Sequence, residues 1–504
     1  SRCSSAASDV YKRQVLGGVL ALAEEPISGG RHKVFGHDEL AVIPQTSTIA
    51  SHLPRALGVG FAIGRARRLG VATRWPADAI AVCSFGDASA NHSTAQGAIN
   101  AACYTAHARI DVPVLFVCED NGWGISVPTP SDWIETSFAH RPDLRYRRCD
   151  GADPLDVFAV ATELADSTRA SGRPAFLHLR TVRYLGHAGT DVETGYRSAA
   201  SIRADRERDP IVATARVAVA AGLASPDRLV DRYLELTVRV RARALELAER
   251  PRLMTADEVI APLAPRRPDA IRRRAALAAP EAVRSDVVDG GDGERLTLAE
   301  TINRTLADVL AATPNALVFG EDVGAKGGVY GVTRGLQKRF GAARVFDTLL
   351  DEQSILGLAL GAGTSGLLPI PEIQYLAYLH NAEDQLRGEA ASLSFFSRGR
   401  FRNPMVVRIA SYAYQRGFGG HFHNDNAVAV LRDIPGLVIA SPSHPSDAGP
   451  MLRTCVAAAI EDGSVCAFLE PIALYHERDL FEPCLLYTSP SPRDISAYLV
   501  CRLL

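Results

Sequence analysis

Cysteine is scarce in this chain, with nine among 504 residues, and no two of them show a CxxC pair or another spacing typical of a metal site. A chain of this length can bury enough apolar surface to fold without disulfides. The sequence therefore excludes a disulfide-held scaffold and a cysteine-based metal site. We expect reduced thiols and a cytoplasmic protein.

An excess of charge of one sign is also absent. The 55 Lys and Arg residues are balanced by 57 Asp and Glu residues, for a formal charge of −2. Because nucleic-acid-binding domains are expected to carry a strongly basic face, the sequence argues against nucleic acid as a partner.

Long apolar runs are missing as well. The longest run, Ile355–Pro371, is interrupted by Gly, Thr and Ser and is shorter than a membrane span, so we expect no membrane association. With 47% apolar and 22% charged residues, the composition is that of a globular protein, and the length indicates several domains.

Both ends of the sequence are unusual. Ser4–Gln14 is what a transposon-type sequencing adapter would encode, and Cys484–Ser489 is what the reverse complement of that adapter would encode in a shifted frame. We therefore expect residues 1–14 and 484–504 to be no part of the fold. Leaving out their five basic and two acidic residues gives 50 Lys and Arg against 55 Asp and Glu, a formal charge of −5, with six cysteines remaining.

Residues 15–263 form the first of two α/β halves. Short apolar runs such as Ala79–Cys83 and Val112–Cys118 alternate with helical patterns, which favours a parallel sheet. The residues Val230–Arg250 are predicted to form a long surface helix.

Residues 264–294 are rich in Pro, Arg, Ala, Asp and Gly and are predicted to be a linker. The second α/β half, residues 295–483, has strand candidates at Ala316–Gly320, Leu368–Ile373, Met405–Ile409 and Leu437–Ala440.

Two loops in the first half carry a chemical signal. Gly86–Ser89 follows the first apolar run, and Glu119–Gly122 follows the second. In a doubly wound sheet both loops leave the carboxyl ends of strands, where such folds bind ligands. Asp87 and Asn121 could then face one point, and a carboxylate, an amide oxygen and a carbonyl oxygen suit Mg²⁺ that holds a diphosphate. Either loop alone would be an ordinary turn, so the signal lies in their combination.

The sequence GDASAN, followed after a helix and a strand by EDNGWGIS, resembles the thiamine-diphosphate motif, which normally reads GDG and then NN. With PQTSTIASHLPRALGVGFAIGRAR and RTVRYLGHAGTDVETGYRS, most of residues 33–212 resembles the alpha part of the first (E1) component of 2-oxo acid dehydrogenase complexes, of the branched-chain or pyruvate type. This resemblance implies an α/β protein with two thiamine-diphosphate-binding domains, each a mostly parallel sheet covered by helices on both faces.

The resemblance also implies site residues in the first half. Asp87, Asn121 and the backbone oxygen of Trp123 would ligate Mg²⁺, and His187 would lie beside the diphosphate and the reacting centre. A surface-loop role is the alternative for His187. The remaining cofactor contacts implied here are Ser47, Ile49, Gly86, Ala88 and Ser89. Of these, Ile49 would help to hold the cofactor bent.

Three residues depart from the family pattern. Ala88 replaces the usual Gly, which costs little if its φ stays below zero. Glu119 stands where the branched-chain relative has a phosphate-contacting Arg, so a negative charge is expected near the diphosphate. Ala188 stands where the animal enzymes carry a regulatory phosphoserine, so that switch is absent.

Residues 295–483 resemble the beta part of the same component, in LVFGEDVGAKGGVYGVTRGL, VFDTLLDEQSILGLALG, IPEIQYLAYLHNAEDQ and GGHFHNDNAVAVLRDIPGL. Glu352 matches the carboxylate that bonds the aminopyrimidine ring nitrogen and helps the cofactor lose its thiazolium proton. Tyr378 would stack on the pyrimidine, with Glu321 beside it. His423 would donate a proton or contact the lipoyl group, whereas His421 is expected to be structural.

The reaction implied is oxidative decarboxylation of a 2-oxo acid with reductive acylation of a lipoyl-bearing acyltransferase. This reaction would depend on thiamine diphosphate and Mg²⁺. His187 and His423 would handle protons. The stretch GHDELAVIPQTSTIASHLP lacks the glycine-rich approach typical of pyruvate enzymes, which favours the branched-chain type, with pyruvate next. Since the family's sites lie between subunits, a fused chain would assemble most simply as a homodimer.

Other functions stay open at this point. An acetoin dehydrogenase would share nearly every motif, and a transketolase would need sugar-phosphate contacts for which no Arg/His cluster is evident. A third possibility is an inactive fragment. Compared with the family, the start lacks helices that supply Tyr and Arg contacts to the diphosphate, and the end lacks a third domain.

Overall fold

The computed structural model describes residues 14–263, 267–276, 296–412 and 419–478. Of the adapter-like ends, residues 1–13 and 484–504 lie outside the described residues. The chain divides into two compact units. The first comprises Ser1–Ala56 and Asp78–Val259, and the second comprises Leu57–Ala77 and Ile260–Leu504.

The first unit is built on a sheet of four parallel strands. In chain order these are β1 (Ala81–Gly86), β2 (Val114–Asp120), β3 (Arg145–Asp150) and β4 (Ala175–Arg180). Their order across the sheet is β1-β2-β4-β3. Just after β2, the residues Trp123–Gly124 pair in antiparallel fashion with Val127–Pro128.

Along the chain, helices lie before, between and after these strands. They are α1 (His52–Leu69), whose residues from Leu57 onward belong to the second unit, α2 (Ser93–His107), α3 (Trp133–Phe138), α4 (Pro154–Ser171), α5 (Ala199–Glu207), α6 (Pro210–Ala220), α7 (Pro226–Ala248) and α8 (Ala256–Ile260). Local chemistry sets their ends. Before α4, the Asp153 side chain accepts from the backbone N–H groups of Leu155 and Asp156, and Gly172 closes the helix at φ 66°.

The second unit contains a six-stranded parallel sheet. Its strands are β5 (Ala316–Gly320), β6 (Val345–Asp347), β7 (Leu368–Ile373), β8 (Met405–Ser411), β9 (Leu437–Ala440) and β10 (Val465–Pro471), in the order β9-β10-β8-β7-β5-β6. Most residues of β5, β7, β8 and β10 are buried and apolar, as expected for strands that are covered on both faces.

The helices of the second unit are α9 (Pro268–Ala275), α10 (Leu298–Ala312), α11 (Leu336–Phe340), α12 (Glu352–Thr364), α13 (Ala391–Phe396), α14 (Ala429–Arg432) and α15 (Pro445–Asp462). Helix α10 begins with a capping box in which Thr297 and Glu300 each bond the other's backbone N–H. Helix α9 lies within the segment 264–294 that was expected to be a linker. Its Ile271 is buried in the core of the second unit and Arg274 pairs with Glu461 of α15.

Helix α1 packs very closely on α12 within the second unit. A Cβ atom on Gly58 would lie 2.5 Å from the carbonyl oxygen of Gly357 and 2.9 Å from the Cα of Gly361, so only glycine fits at position 58. Further along, the Arg65 guanidinium lies 4.6 Å from the ring centres of both Phe61 and Phe346, within the range of cation–π attraction.

The expected fold class is confirmed, because both units contain parallel sheets flanked by helices. The strands predicted at 316–320, 368–373 and 437–440 have the observed bounds. The long surface helix predicted at 230–250 is α7, Pro226–Ala248. Among the described residues, no helix is both long and apolar enough to cross a membrane.

Candidate functional site

The carboxyl edge of the first sheet brings the two polar loops together. Strands β1 and β2 are neighbours in register, with Gly86 opposite Glu119, so the residues that follow each strand emerge side by side. Asp87 is 1% exposed, and neither of its carboxylate oxygens has a hydrogen-bond partner of ordinary geometry among the described residues. A buried, bare carboxylate at the ligand-binding edge is a strong candidate for a cation ligand.

Burial raises the pKa of Asp87, and the negative charge of Asp120 raises it further. The Thr129 side chain and the Asn121 backbone offset part of this effect. These contributions place Asp87 close to the turn that carries Asn121. The structure therefore places the Asp87 carboxylate close to the backbone of Asn121, the second residue predicted to bind Mg²⁺.

The turn itself is held by local bonds. The Asn121 side-chain oxygen accepts from the backbone N–H of Trp123 at 3.1 Å, and Gly122 has a φ of 77°, a conformation that favours glycine. Ala88 has a φ of −65°, so its replacement of glycine causes no backbone strain. A Cβ atom on Gly124 would lie 3.0 Å from the Ala88 Cβ, which shows how closely the turn approaches the β1 loop.

Other residues predicted on this side lie near the same edge. Ser89 begins a 3₁₀ turn directly after Ala88. Ser47 and Ile49 are exposed on the loop before α1, and this loop is tied to β1 because the His52 ring bonds the carbonyl oxygen of Ser84 at 2.9 Å. Glu119 is exposed and accepts from the Ser84 hydroxyl.

The loop that carries His187 is held by a polar network. The backbone N–H of His187 donates to Asp191, whose carboxylate also accepts from the Tyr196 hydroxyl. Arg183 donates to that hydroxyl and to the carbonyl oxygen of Ile125, near the Trp123 turn. The His187 side chain itself is exposed, available to a ligand.

In the second unit, carboxylates collect beside Tyr378. Glu321 follows β5 and is 9% exposed, and Glu352 is the first residue of α12. Burial raises the pKa of Glu321 to about 7, and the nearby Glu352 adds to this effect. Asn381 donates to Glu352 at 3.4 Å. Burial, with contributions from Tyr375 and these two carboxylates, raises the pKa of Tyr378.

His423 contacts the same cluster. Its Nδ1 lies 3.1 Å from the carbonyl oxygen of Gly419 and its Nε2 lies 2.9 Å from the Tyr378 hydroxyl. Because a carbonyl oxygen only accepts, Nδ1 carries the ring proton and Nε2 accepts from Tyr378. His421 is exposed and stacks against Phe422.

Two buried polar networks were not predicted. In the second unit, Arg408 is fully buried and bonds Glu372 and Glu470, which also accepts from the Tyr475 hydroxyl. In the first unit, Asp120 bonds His178 and Arg180. The sequence signal that could have indicated these networks is a charged or polar residue inside an otherwise apolar strand, as in MVVRIAS and AFLHLR.

No group of three or more His, Cys, Asp or Glu residues that could hold a metal occurs in the ranges the structure describes. The Mg²⁺ ligand set expected here needs only one carboxylate, with amide, carbonyl and phosphate oxygens as the others. The bare carboxylate of Asp87 fits that set.

The family comparisons identify both halves. Residues 3–252 match the model of "Dehydrogenase E1 component", and residues 294–477 match "Transketolase, pyrimidine binding domain". The chain joins an E1 dehydrogenase domain to a transketolase-type pyrimidine-binding domain. The first match begins within the segment 1–14 that was expected to be adapter sequence.

Curated relatives of this E1-type chain include beta subunits of two enzymes. The present chain is 39% identical over 181 residues to the 2-oxoisovalerate dehydrogenase subunit beta of Pseudomonas aeruginosa, and this match covers 36% of the present chain and 50% of the relative. It is 39% identical over 196 residues to the pyruvate dehydrogenase E1 component subunit beta of Acholeplasma laidlawii, covering 39% and 58%. The chain thus spans about half the length of the curated relatives it matches.

Among solved structures, transketolase from Leishmania mexicana matches with a TM-score of 0.52 at 14% identity, over 85% of this chain and 60% of that one. This likeness supports the fold alone.

Proposed function

We propose that the protein is a thiamine-diphosphate- and Mg²⁺-dependent E1 enzyme that oxidatively decarboxylates a 2-oxo acid and reductively acylates the lipoyl group of an acyltransferase partner, the lipoyl disulfide being the oxidant. The observation that carries the proposal is the buried Asp87 carboxylate at the carboxyl edge of the first sheet, close to the Asn121 backbone, with no hydrogen-bond partner of ordinary geometry among the described residues. The two family matches support the cofactor class.

The first unit would hold the diphosphate end. Asp87, the Asn121 side chain and the Trp123 carbonyl oxygen would ligate Mg²⁺, whose charge would relieve the cost of burying the Asp87 carboxylate. The exposed side chain of Ile49 would lie against the cofactor, with Ser47, Gly86, Ala88 and Ser89 as further contacts. His187 would contribute a proton donor from its loop.

The second unit would hold the pyrimidine end. Glu352 would accept or donate the proton of a ring nitrogen, and Tyr378 would stack on the ring. Glu321, with its pKa raised to about 7 by burial and by Glu352, would take part in the same hydrogen bonds. His423, whose Nε2 bonds the Tyr378 hydroxyl, would donate a proton near the reacting centre or contact the lipoyl group.

Bound thiamine diphosphate would supply the nucleophile and the electron sink for loss of CO₂. The chain's own residues would hold and orient the cofactor, and Glu352 would help it to lose its thiazolium proton.

A direct assay tests this function. Reduction of an artificial electron acceptor should depend on the 2-oxo acid, on thiamine diphosphate and on Mg²⁺, with 2-oxoisovalerate expected to exceed pyruvate and 2-oxoglutarate. Higher activity with pyruvate would contradict the branched-chain preference, and cofactor-independent reduction would contradict the whole proposal. Light scattering of the holoenzyme would test the expected homodimer.

Acetoin cleavage is the second candidate, because nearly every motif is shared with that activity. Acetoin in place of the 2-oxo acid in the same assay separates the two.

A further inference from the structure

A chain of buried and partly buried hydrogen bonds crosses the first sheet and ends at the turn that carries Asn121. It starts at Tyr146 on the edge strand β3, passes through His178 on β4 and reaches Asp120, the last residue of β2. The Tyr146 hydroxyl lies 2.6 Å from His178 Nδ1, and His178 Nε2 lies 2.8 Å from Asp120 Oδ2. His178 and Asp120 are 1% and 2% exposed.

The direction of these bonds follows from the donors. A carboxylate only accepts, so His178 Nε2 carries a proton and donates to Asp120, and in a neutral ring Nδ1 then accepts from the Tyr146 hydroxyl. Arg180 donates to the same carboxylate oxygen at 2.5 Å. Although burial opposes it, hydrogen bonds from His178 and Arg180 lower the pKa of Asp120.

Asp120 links this chain of hydrogen bonds to the turn that follows it. Its other oxygen accepts from the backbone N–H of Gly122 at 3.1 Å, and its carbonyl oxygen accepts from Thr181. The next residue, Asn121, makes the same kind of bond to Trp123. The two consecutive side-chain-to-backbone bonds set the path of the chain through Asn121, Gly122 and Trp123.

The far end of the hydrogen-bond chain is fixed by packing. The Tyr146 ring stacks on Phe176 with a centroid distance of 5.8 Å, and Phe176 stacks on Phe138 at 4.6 Å. The Tyr146 hydroxyl therefore has a fixed position from which to orient the imidazole.

We propose that His178 and Tyr146 are positioning residues that act through Asp120 to hold the Asn121–Trp123 turn in the conformation that receives Mg²⁺ and the diphosphate. The inference rests on the proposed function. It also requires a strict order of action, because the hydrogen bonds that lead from Tyr146 to the turn in the described part of the chain pass through His178.

The turn contains its own reporter. The chain has three tryptophans, so the variant Trp75→Phe with Trp133→Phe leaves Trp123 as the only one. In this background, emission from Trp123 reports the turn without ligand, and its change on titration with Mg²⁺ and thiamine diphosphate gives a dissociation constant. Thermal melting of each variant measures stability separately.

His178→Gln should weaken binding about tenfold, as is common when a partner that orients a metal ligand is removed, and should shift the ligand-free Trp123 emission. Tyr146→Phe, which removes only a hydroxyl, should weaken it about threefold by loss of one hydrogen bond. The double variant should bind no more weakly than His178→Gln alone. The matched control is His107→Gln, because His107 also bonds a carboxylate, Asp143, at 2.8 Å but on the surface; its affinity should equal that of the parent.

Unchanged affinity and emission in His178→Gln would overturn the inference while leaving the proposed function intact. A loss of affinity in the double variant equal to the product of the two single losses would also overturn the inference, because Tyr146 would then act independently of His178. If His178→Gln does not fold, Tyr146→Phe decides, and unchanged affinity in that variant counts against the inference. If the parent binds no cofactor, the proposed function fails, and the ligand-free emission alone then tests the positioning role.

Discussion

Replacing Asp87 by Asn should make the ligand-free protein more stable and at the same time remove the proposed Mg²⁺ site. The wild-type carboxylate is 1% exposed, and neither of its oxygens has a hydrogen-bond partner of ordinary geometry among the described residues. Burying an ionised carboxylate costs several kcal/mol, whereas an unpaired amide costs about 1–3 kcal/mol. We therefore expect Asp87→Asn to raise the free energy of unfolding at neutral pH by about 2 kcal/mol, and the melting temperature by about 4–8 °C.

The pH dependence provides an internal check. Because burial raises the pKa of Asp87, the folded wild type binds this proton more tightly than the unfolded chain does, and its stability falls as the pH rises above the unfolded value. The advantage of Asp87→Asn should therefore shrink as the pH is lowered toward about 4.

Calorimetry with and without Mg²⁺ and thiamine diphosphate measures both effects. The ligands should raise the melting temperature of the wild type and leave that of Asp87→Asn unchanged. The exposed Asp132 provides the control, and Asp132→Asn should behave as the wild type. A ligand-free Asp87→Asn protein that melts below the wild type, or one that keeps the ligand-induced shift, would refute the reasoning.

Three further outcomes are expected. Glu352→Gln should lower turnover by about 100-fold or more through loss of acid–base function, while isothermal titration still detects Mg²⁺ and diphosphate binding; full turnover would contradict the role of this carboxylate. Glu321, with a folded pKa of about 7, should make unfolding free energy fall as the pH rises from about 4.5 to 7, and Glu321→Gln should flatten that slope in urea titrations; an unaltered slope would exclude the assignment. Arg408→Met should cost about 3–5 kcal/mol in the same titrations, because it leaves Glu372 and Glu470 buried without their cation; a loss below about 1 kcal/mol would show that the pair is neutralised in another way.

The strands at the binding edge show what sequence patterns can and cannot locate. The apolar runs 79–83 and 112–118 identified β1 and β2, but both strands continue two or three residues further, to Gly86 and Asp120. The ladder extends past the apolar pattern because the last residues of parallel strands at this edge face the polar loops, and Gly86 still pairs with Glu119. Strand β3, RYRRCD, was missed because most of its side chains are polar and exposed.

Only the parts of the candidate site that lie in short motifs could be predicted from the sequence. Asp87 and Asn121 stand in recognisable loops, and the backbone of Asn121 lies near the Asp87 carboxylate. The bond between His178 and Asp120 joins residues 58 positions apart, and no local pattern indicates such a pair. Long-range pairing of this kind depends on the order of strands in the sheet, which periodicity does not supply.

The glycine at position 58 has a consequence for how this protein can be divided. The helix that begins with Glu352 is covered by a backbone from the amino-terminal half of the sequence, at a distance that permits no side chain. A polypeptide cut at the 264–294 segment and produced as a carboxyl-terminal piece alone would expose the groove over Gly357 and Gly361 to water. Joining both parts in one polypeptide keeps that groove and its cover in the same molecule.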